Sequence, residues 1–317
     1  MNKMKRLKKV ISAVLMLILV FTLVACAPKG DNAAKVEDKP KEINTTYPLK
    51  IKDSYDRELT IEKEPKRVIS LAPNITETIY ALDKKEVLVG RTDYCDYPSE
   101  VSTVQSIGTL KSPNLEKITE LKPDLVIAST HFSKDTLKKL EELNIPVIVL
   151  YGSESFEGVY DTIEKVGKVL SANPKASSII TAMKQKVGNV EDKLKGKATP
   201  SVYYVVGYGE SGDFTATGDT FVGKMIKMAG GKNVAEDAVN WKYSLEKLVE
   251  KDPQLVIVSK YYDTKSGFIA AKGYKELSAV KGNKVFEIDN NLLDRQGPRL
   301  AEGLEALAKL IQPEAFK

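Results

Sequence analysis

The chain holds 317 residues, with 48 Lys+Arg against 43 Asp+Glu, one His and two Cys, and its length suggests about two domains. One His excludes the multi-histidine metal sites of zinc enzymes, and two Cys exclude a disulfide framework or an iron–sulfur centre. The net charge of +5 is local: Lys3, Lys5, Arg6, Lys8 and Lys9 precede the first apolar run and the other 43 bases balance 43 acids, so the basic stripe that nucleic acid requires is missing.

Behind the basic start, Val10–Ala25 is an apolar stretch of roughly 16 residues, short of the about 20 that a transmembrane helix needs. Basic, then apolar, then small residues predict a secretory signal over 1–25. Leu23-Val24-Ala25-Cys26 resembles the bacterial lipobox, in which the cysteine is lipidated, so Cys26 is the expected lipid attachment site. Cys95 is then the mature chain's sole thiol, expected to be a packed residue because no activating His lies near it. Residues 26–47 are polar and proline-bearing, a disordered tether that could extend on the order of 70 Å. A lipid and a tether would hold the body at the outer face of the cytoplasmic membrane.

The body begins near Pro48. Leu49–Lys52 and Glu58–Ile61 alternate around a turn at Asp53–Arg57 and predict an opening hairpin. Arg67–Ala72 reads as a strand, followed by Pro73 and by Asn74-Ile-Thr-Glu77, the capping-box pattern of a helix running to about Leu82. Glu86–Gly90 (strand), Asn114–Leu121 (helix), Asp124–Ala128 (strand), Lys134–Leu143 (helix) and Pro146–Leu150 (strand) follow. Helices between short, continuously apolar strands predict a parallel sheet covered on both faces.

Phe156–Leu170 is helical by spacing, and Asn173-Pro174 offers an N-cap with proline at the first helical position. Ala176, Ile179, Ile180, Met183, Val187, Val190 and Leu194 then form one apolar stripe at helix period, which Gly196 can end. Some 22 residues give a rod of roughly 33 Å, long enough to join two lobes. Alternation resumes with Ser201–Val206, Asp219–Met228, Ser244–Glu250, Gln254–Val258 and Lys284–Ile288, and closes with a helix over Pro298–Ile311. The fold class predicted is α/β, with two Rossmann-like lobes of mostly parallel sheet, at 48–172 and 197–317, joined by one long helix at 173–196. Leu115-Glu-Lys-Ile-Thr-Glu-Leu-Lys-Pro-Asp-Leu-Val-Ile127 also matches Leu245-Glu-Lys-Leu-Val-Glu-Lys-Asp-Pro-Gln-Leu-Val-Ile257 at eight of thirteen positions. Either helix–Pro–strand units converge on similar words, or the halves are related.

Arg67–Glu77, Val89–Pro98, Ile107-Gly-Thr109, Pro113–Ile118, Leu121–Val126, Thr220–Gly223, Ala229–Val234 and Arg295–Arg299 together carry a family resemblance over nearly all of residues 48–313. The chain resembles the substrate-binding lipoproteins of ABC importers for cobalamin, ferric siderophores and haem. That resemblance implies two lobes on one long helix, a ligand cleft between them, and partnership with a permease and its ATPase subunits; a connection through one helix should bend little, so modest lobe closure rather than a wide hinge is expected. It implies no catalysis, no cofactor and no resident metal. A monomer is expected. It further implies that Glu116 and Glu246, matched in the repeat, engage permease arginines; the plainer reading is two solvated acids in first helical turns.

Ligands of open α/β sheets bind beyond the carboxyl ends of the strands. That places Pro73, Asn74, Thr76, Arg91, Tyr94, Tyr97 and His131 at one cleft edge. Tyr208, Phe214, Trp241, Tyr261, Tyr262, Arg295 and Arg299 fall at the other. A large, flat chelate needs aromatic faces and a few polar groups. Arg299, in a helix's first turn, opposes the macrodipole; Asp294 or a ligand anion would compensate it. Cobalamin or another corrinoid is the favoured cargo, with a ferric siderophore or haem next. An exported enzyme or adhesin on the same scaffold is the remote reading. Gly207-Tyr-Gly-Glu-Ser-Gly212 fits G-x-G-x-x-G, but no helix is predicted to open there, so nucleotide binding is not expected.

Overall fold

The computed structural model describes residues 44–317; Cys26, the secretory signal and the tether up to residue 43 lie outside them. β1 (Leu49–Lys52) and β2 (Glu58–Ile61) pair antiparallel, with Leu49 opposite Ile61. Asp53 shapes their turn: its buried carboxylate accepts from the Tyr55 and Arg57 amides and from the Arg57 guanidinium. It also accepts from the Val149 amide at 3.3 Å, which ties the hairpin to the lobe behind it.

That lobe is built on β3 (Val68–Ser70), β4 (Leu88–Arg91), β5 (Leu125–Ala128) and β6 (Val147–Val149), all parallel in the order β4-β3-β5-β6. Every residue of β3, β5 and β6 is buried, as a sheet covered on both faces demands. The covers are α1 (Pro73–Ala81), α2 (Leu115–Glu120), α3 (Lys134–Glu142) and α4 (Phe156–Val169).

α5 (Asn173–Leu194) is the 22-residue rod. It begins one residue earlier than the capping pattern implies: Asn173 is its first residue and Ala172, with no side-chain cap, precedes it. Ala176, Met183 and Val190 of the stripe are buried, where α5 packs on α4 and on the last helix, α11 (Leu300–Ile311). The intervening elements are β7 (Ser201–Gly207), β8 (Asp213–Thr215), α6 (Phe221–Met228), β9 (Lys232–Asn233), β10 (Lys242–Tyr243), α7 (Leu245–Lys251), β11 (Leu255–Ser259), α8 (Thr264–Ala270), α9 (Ser278–Lys281), β12 (Val285–Ile288) and α10 (Asn291–Asp294).

In this second sheet β9, β7, β11 and β12 are parallel and repeat the order of the first. β8 and β10 add an antiparallel ribbon along the C-terminal half of β7. The matched sequences hold matched places, since α2–β5 and α7–β11 each run from helix to central strand. Asn114 Oδ1 accepts from the Lys117 amide, and Ser244 Oγ accepts from the Lys247 amide, the same cap at the same step.

The core reaches across both halves. One cluster runs from Ile75 and Ile79 on α1, through Val166 and Met183, to Phe221, Leu304 and Leu307. Separate clusters cover the outer face of each sheet. A continuous apolar layer along α4, α5 and α11 braces the lobes because close-packed interiors resist deformation.

Candidate functional site

The first sheet changes direction at β3: the chain leaves it for β4 on one side and returns to β5 on the other. Ligand clefts form at such switch points, and one of about 410 Å³ opens here. β3 delivers Ala72, Pro73 and Asn74 to it, β5 delivers Ser129, Thr130 and His131, and the chain after β6 brings Tyr151 and Glu154. Across the gap stand Phe221 and Val222 of α6, Trp241, and Leu293–Gln296.

Asn74 touches both sides. Its Nδ2 donates to Ser129 Oγ at 3.1 Å and to the Gln296 carbonyl at 3.3 Å. Trp241 is presented by strained backbone, with φ +61° at Asn240 and +63° at Trp241. The strain is held by named bonds: Thr215 N to Trp241 O at 2.9 Å, Trp241 N to Thr217 Oγ1 at 3.1 Å, and Asn240 N to Asp219 Oδ2 at 3.0 Å. His131 also has positive φ, at +64°. Such conformations cost on the order of 1–3 kcal/mol each and persist where the surroundings enforce them. Both side chains are left exposed over the cleft.

Glu77 is the residue that sequence reasoning missed. It sits on α1 with its side chain 2% exposed, and it accepts two hydrogen bonds from Arg299, at 2.9 and 2.6 Å, and one from Arg295 at 3.0 Å. It is therefore not the capping carboxylate that Asn74-Ile-Thr-Glu77 suggests; α1 starts on Pro73 with no side-chain cap. Nor does Asp294 compensate Arg299. Arg295 also donates to Asp96 Oδ1 at 2.5 Å and to the Tyr94 carbonyl at 3.3 Å, while the Tyr97 ring lies 3.7 Å from the Arg299 guanidinium. Burial pulls both guanidinium pKa values down, but the hydrogen bonds and charges of Glu77 and, for Arg295, Asp96 leave them above the ordinary arginine value. A second tie crosses at Glu154, whose Oε2 accepts from the Phe221 amide at 2.8 Å, favoured by the positive end of α6.

The cleft thus gathers Pro73, Asn74, His131, Trp241 and Arg295. The other candidates stand elsewhere. Arg91 is turned onto the Val101 and Thr92 carbonyls, and Thr76 is fully buried against Ser70 and Cys95. Tyr94 and Tyr97 are exposed beside the cleft arginines. Tyr208 packs edge-on against Phe268 and Tyr274, Phe214 lies against Gly207 in the ribbon, and Tyr261 donates to Asp289. Tyr262 is 99% exposed. Gly209–Ser211 forms a single 3-10 turn that leads into β8, so no helix follows the G-x-G-x-x-G segment. Glu116 and Glu246 are exposed in the first turns of α2 and α7.

Cys95 is 2% exposed and accepts from Thr76 Oγ1; burial pushes its thiol above the ordinary range. It is expected to react with a thiol reagent at least about tenfold more slowly in the folded protein than in urea. Equal rates before and after unfolding would show that the thiol is accessible.

Comparison with known proteins adds findings of three kinds. Residues 68–292 match a family described as periplasmic binding protein. The chain is 33% identical over 305 residues to YvrC, an ABC transporter substrate-binding lipoprotein of Bacillus subtilis (strain 168), covering 94% of this chain and 96% of that one. It is 27% identical over 309 residues to a cobalamin-binding protein of Halobacterium salinarum (strain ATCC 29341 / DSM 671 / R1), covering 92% and 82%. Among solved structures, the vitamin B12-binding protein BtuF of Vibrio cholerae aligns with a TM-score of 0.67 at 26% identity, over 80% of this chain and 98% of that one. The haem-binding protein RhuT from Roseiflexus sp. RS-1 aligns at 0.72 with 23% identity, over 79% and 99%, a likeness of fold.

Proposed function

Because the chain belongs to the periplasmic binding protein family, we propose that it is the lipid-anchored substrate-binding component of an ABC importer, capturing a metal chelate outside the membrane. A corrinoid such as cobalamin is the favoured cargo. The carrying observation is the cleft itself: the strand ends of the first sheet face Phe221, Val222, Trp241 and residues 293–296 of the second half across one gap. Asn74 spans that gap, and Trp241 is held at its edge. An exposed aromatic in a largely apolar cleft, with Asn74, Ser129 and Gln296 as polar groups, suits a large, flat ring carrying hydrogen-bonding groups. The cobalamin-binding relatives support the corrinoid over a ferric siderophore or haem, which are the alternatives. No covalent step is assigned to the site; the work is burial and release.

Anchoring at Cys26, on the outer face of the cytoplasmic membrane, is supported by the lipobox and by the lipoprotein relative. The test is direct. Residues 27–317 are purified, incubated in turn with cobalamin, haemin and a ferric catecholate, and passed through gel filtration. Retained colour identifies the cargo. A colourless protein peak in all three runs would end this reading.

Delivery to the permease is assigned to Glu116 and Glu246. They occupy the same step of the repeat, exposed at the heads of α2 and α7, and would meet basic groups of the permease and its ATPase assembly. Reversing both charges to lysine is expected to cut uptake by roughly tenfold or more while chelate affinity holds. If uptake survives the double reversal, docking lies elsewhere.

A further inference from the structure

The charge of the cleft is settled before any cargo arrives. Of the residues that line it, Arg295 and His131 are the basic ones, while Glu154 and Asp294 are acidic. The Arg295 guanidinium is already committed to Glu77, Asp96 and the Tyr94 carbonyl. Arg299 behind it gives the same Glu77 carboxylate the two-pronged grip that arginine otherwise offers a carboxylate or phosphate, and its face is covered by Tyr97. At residues 295–299 the two guanidinium groups are thus already matched by two carboxylates, Glu77 and Asp96.

Glu77 holds the paired N–H groups that an anionic cargo reaching Arg295 and Arg299 would seek. An incoming carboxylate could take that two-pronged grip only by displacing Glu77 and leaving a carboxylate that is 2% exposed without a partner, a heavy penalty in a buried site. Buried ion pairs are poor sources of stability in themselves, so a buried carboxylate bridging two arginines calls for a reason in specificity. We propose that Glu77 is a specificity-determining residue. By pre-empting Arg295 and Arg299 it restricts the cleft to chelates that are neutral or cationic where they face residues 295–299, and it excludes carboxylate-bearing ones. The inference rests on the chelate-binding reading above and narrows it to a charge class.

The test uses the purified full-length chain and paired probes that share a scaffold and differ in charge. Cobinamide is set against cobyrinic acid, whose carboxylates replace the amides, and haemin dimethyl ester against haemin. Quenching of Trp241, the chain's one tryptophan, reports binding. On whichever scaffold is retained, the carboxylate form is expected to bind at least about tenfold more weakly. Equal or tighter binding of the carboxylate form overturns the inference and leaves the chelate-binding reading intact. Retention of neither scaffold overturns both. The wild-type comparison stands even if a variant fails to fold. Where Glu77→Gln does fold, its ratio of carboxylate to neutral affinity is expected to rise about tenfold or more, and an unmoved ratio also overturns the proposal.

Discussion

Truncating Trp241 to alanine is expected to weaken capture of the coloured chelate by roughly 10- to 100-fold. The side chain lines the cleft and is 37% exposed, so a flat cargo would cover apolar surface that now faces water. Burying an aromatic side chain contributes about 1.5–3 kcal/mol, and about 1.4 kcal/mol is a factor of ten in affinity. The backbone that carries the ring is held by Thr215, Thr217 and Asp219, so the loss would come from the missing ring. Phenylalanine at 241 should recover part of it. Equilibrium dialysis followed by visible absorbance is the measurement, since the variant lacks its fluorescent reporter. An affinity within about twofold of the parent would remove Trp241 from the cargo's surroundings.

The largest stability effect is expected at Glu77. Replacing it with alanine leaves Arg295 and Arg299, with side chains 11% and 15% exposed, lacking their shared carboxylate. Breaking a buried ion pair by removing one partner typically costs about 3–5 kcal/mol. Urea unfolding should show this as a lower midpoint with little change in slope. Replacing Glu77, Arg295 and Arg299 together with methionine should cost less than the single alanine, because no charge is then stranded. If the single variant unfolds at the parent's midpoint, or the triple variant is the weaker, Glu77 does not bind the lobes in the way its hydrogen bonds indicate. Since Glu77 comes from α1 and its arginines from the segment before α11, the same contact opposes wide opening of the cleft. Modest closure is therefore the expected response to cargo.

Much of this architecture is legible in the residues themselves. The hairpin, the parallel strands and the 22-residue rod follow from spacing alone, because a strand buried on both faces must be apolar throughout and a rod between lobes must carry a stripe. The caps at Asn114 and Ser244 are equally local. β8, β9 and β10 are two or three residues long, too short to hold a period, so neither the antiparallel ribbon of β8 and β10 nor the parallel pairing of β9 is legible in the sequence. Asn74-Ile-Thr-Glu77 misled for a related reason: the spacing fits a cap, but the carboxylate finds stronger partners more than two hundred positions away.

What the sequence by itself determined is the order of the main strands and helices, the caps at Asn114 and Ser244 and the polarity of each element, since these depend on neighbours within a few residues. It also brought Asn74, His131, Trp241 and Arg295 forward as candidates, from their places after strands and in loops. Only the tertiary structure decided which of them share a cleft, which tyrosines turn away into packing, and that Glu77 already occupies the arginines. Those outcomes turn on charge and volume meeting across distant segments, and no local period in the chain records such a meeting.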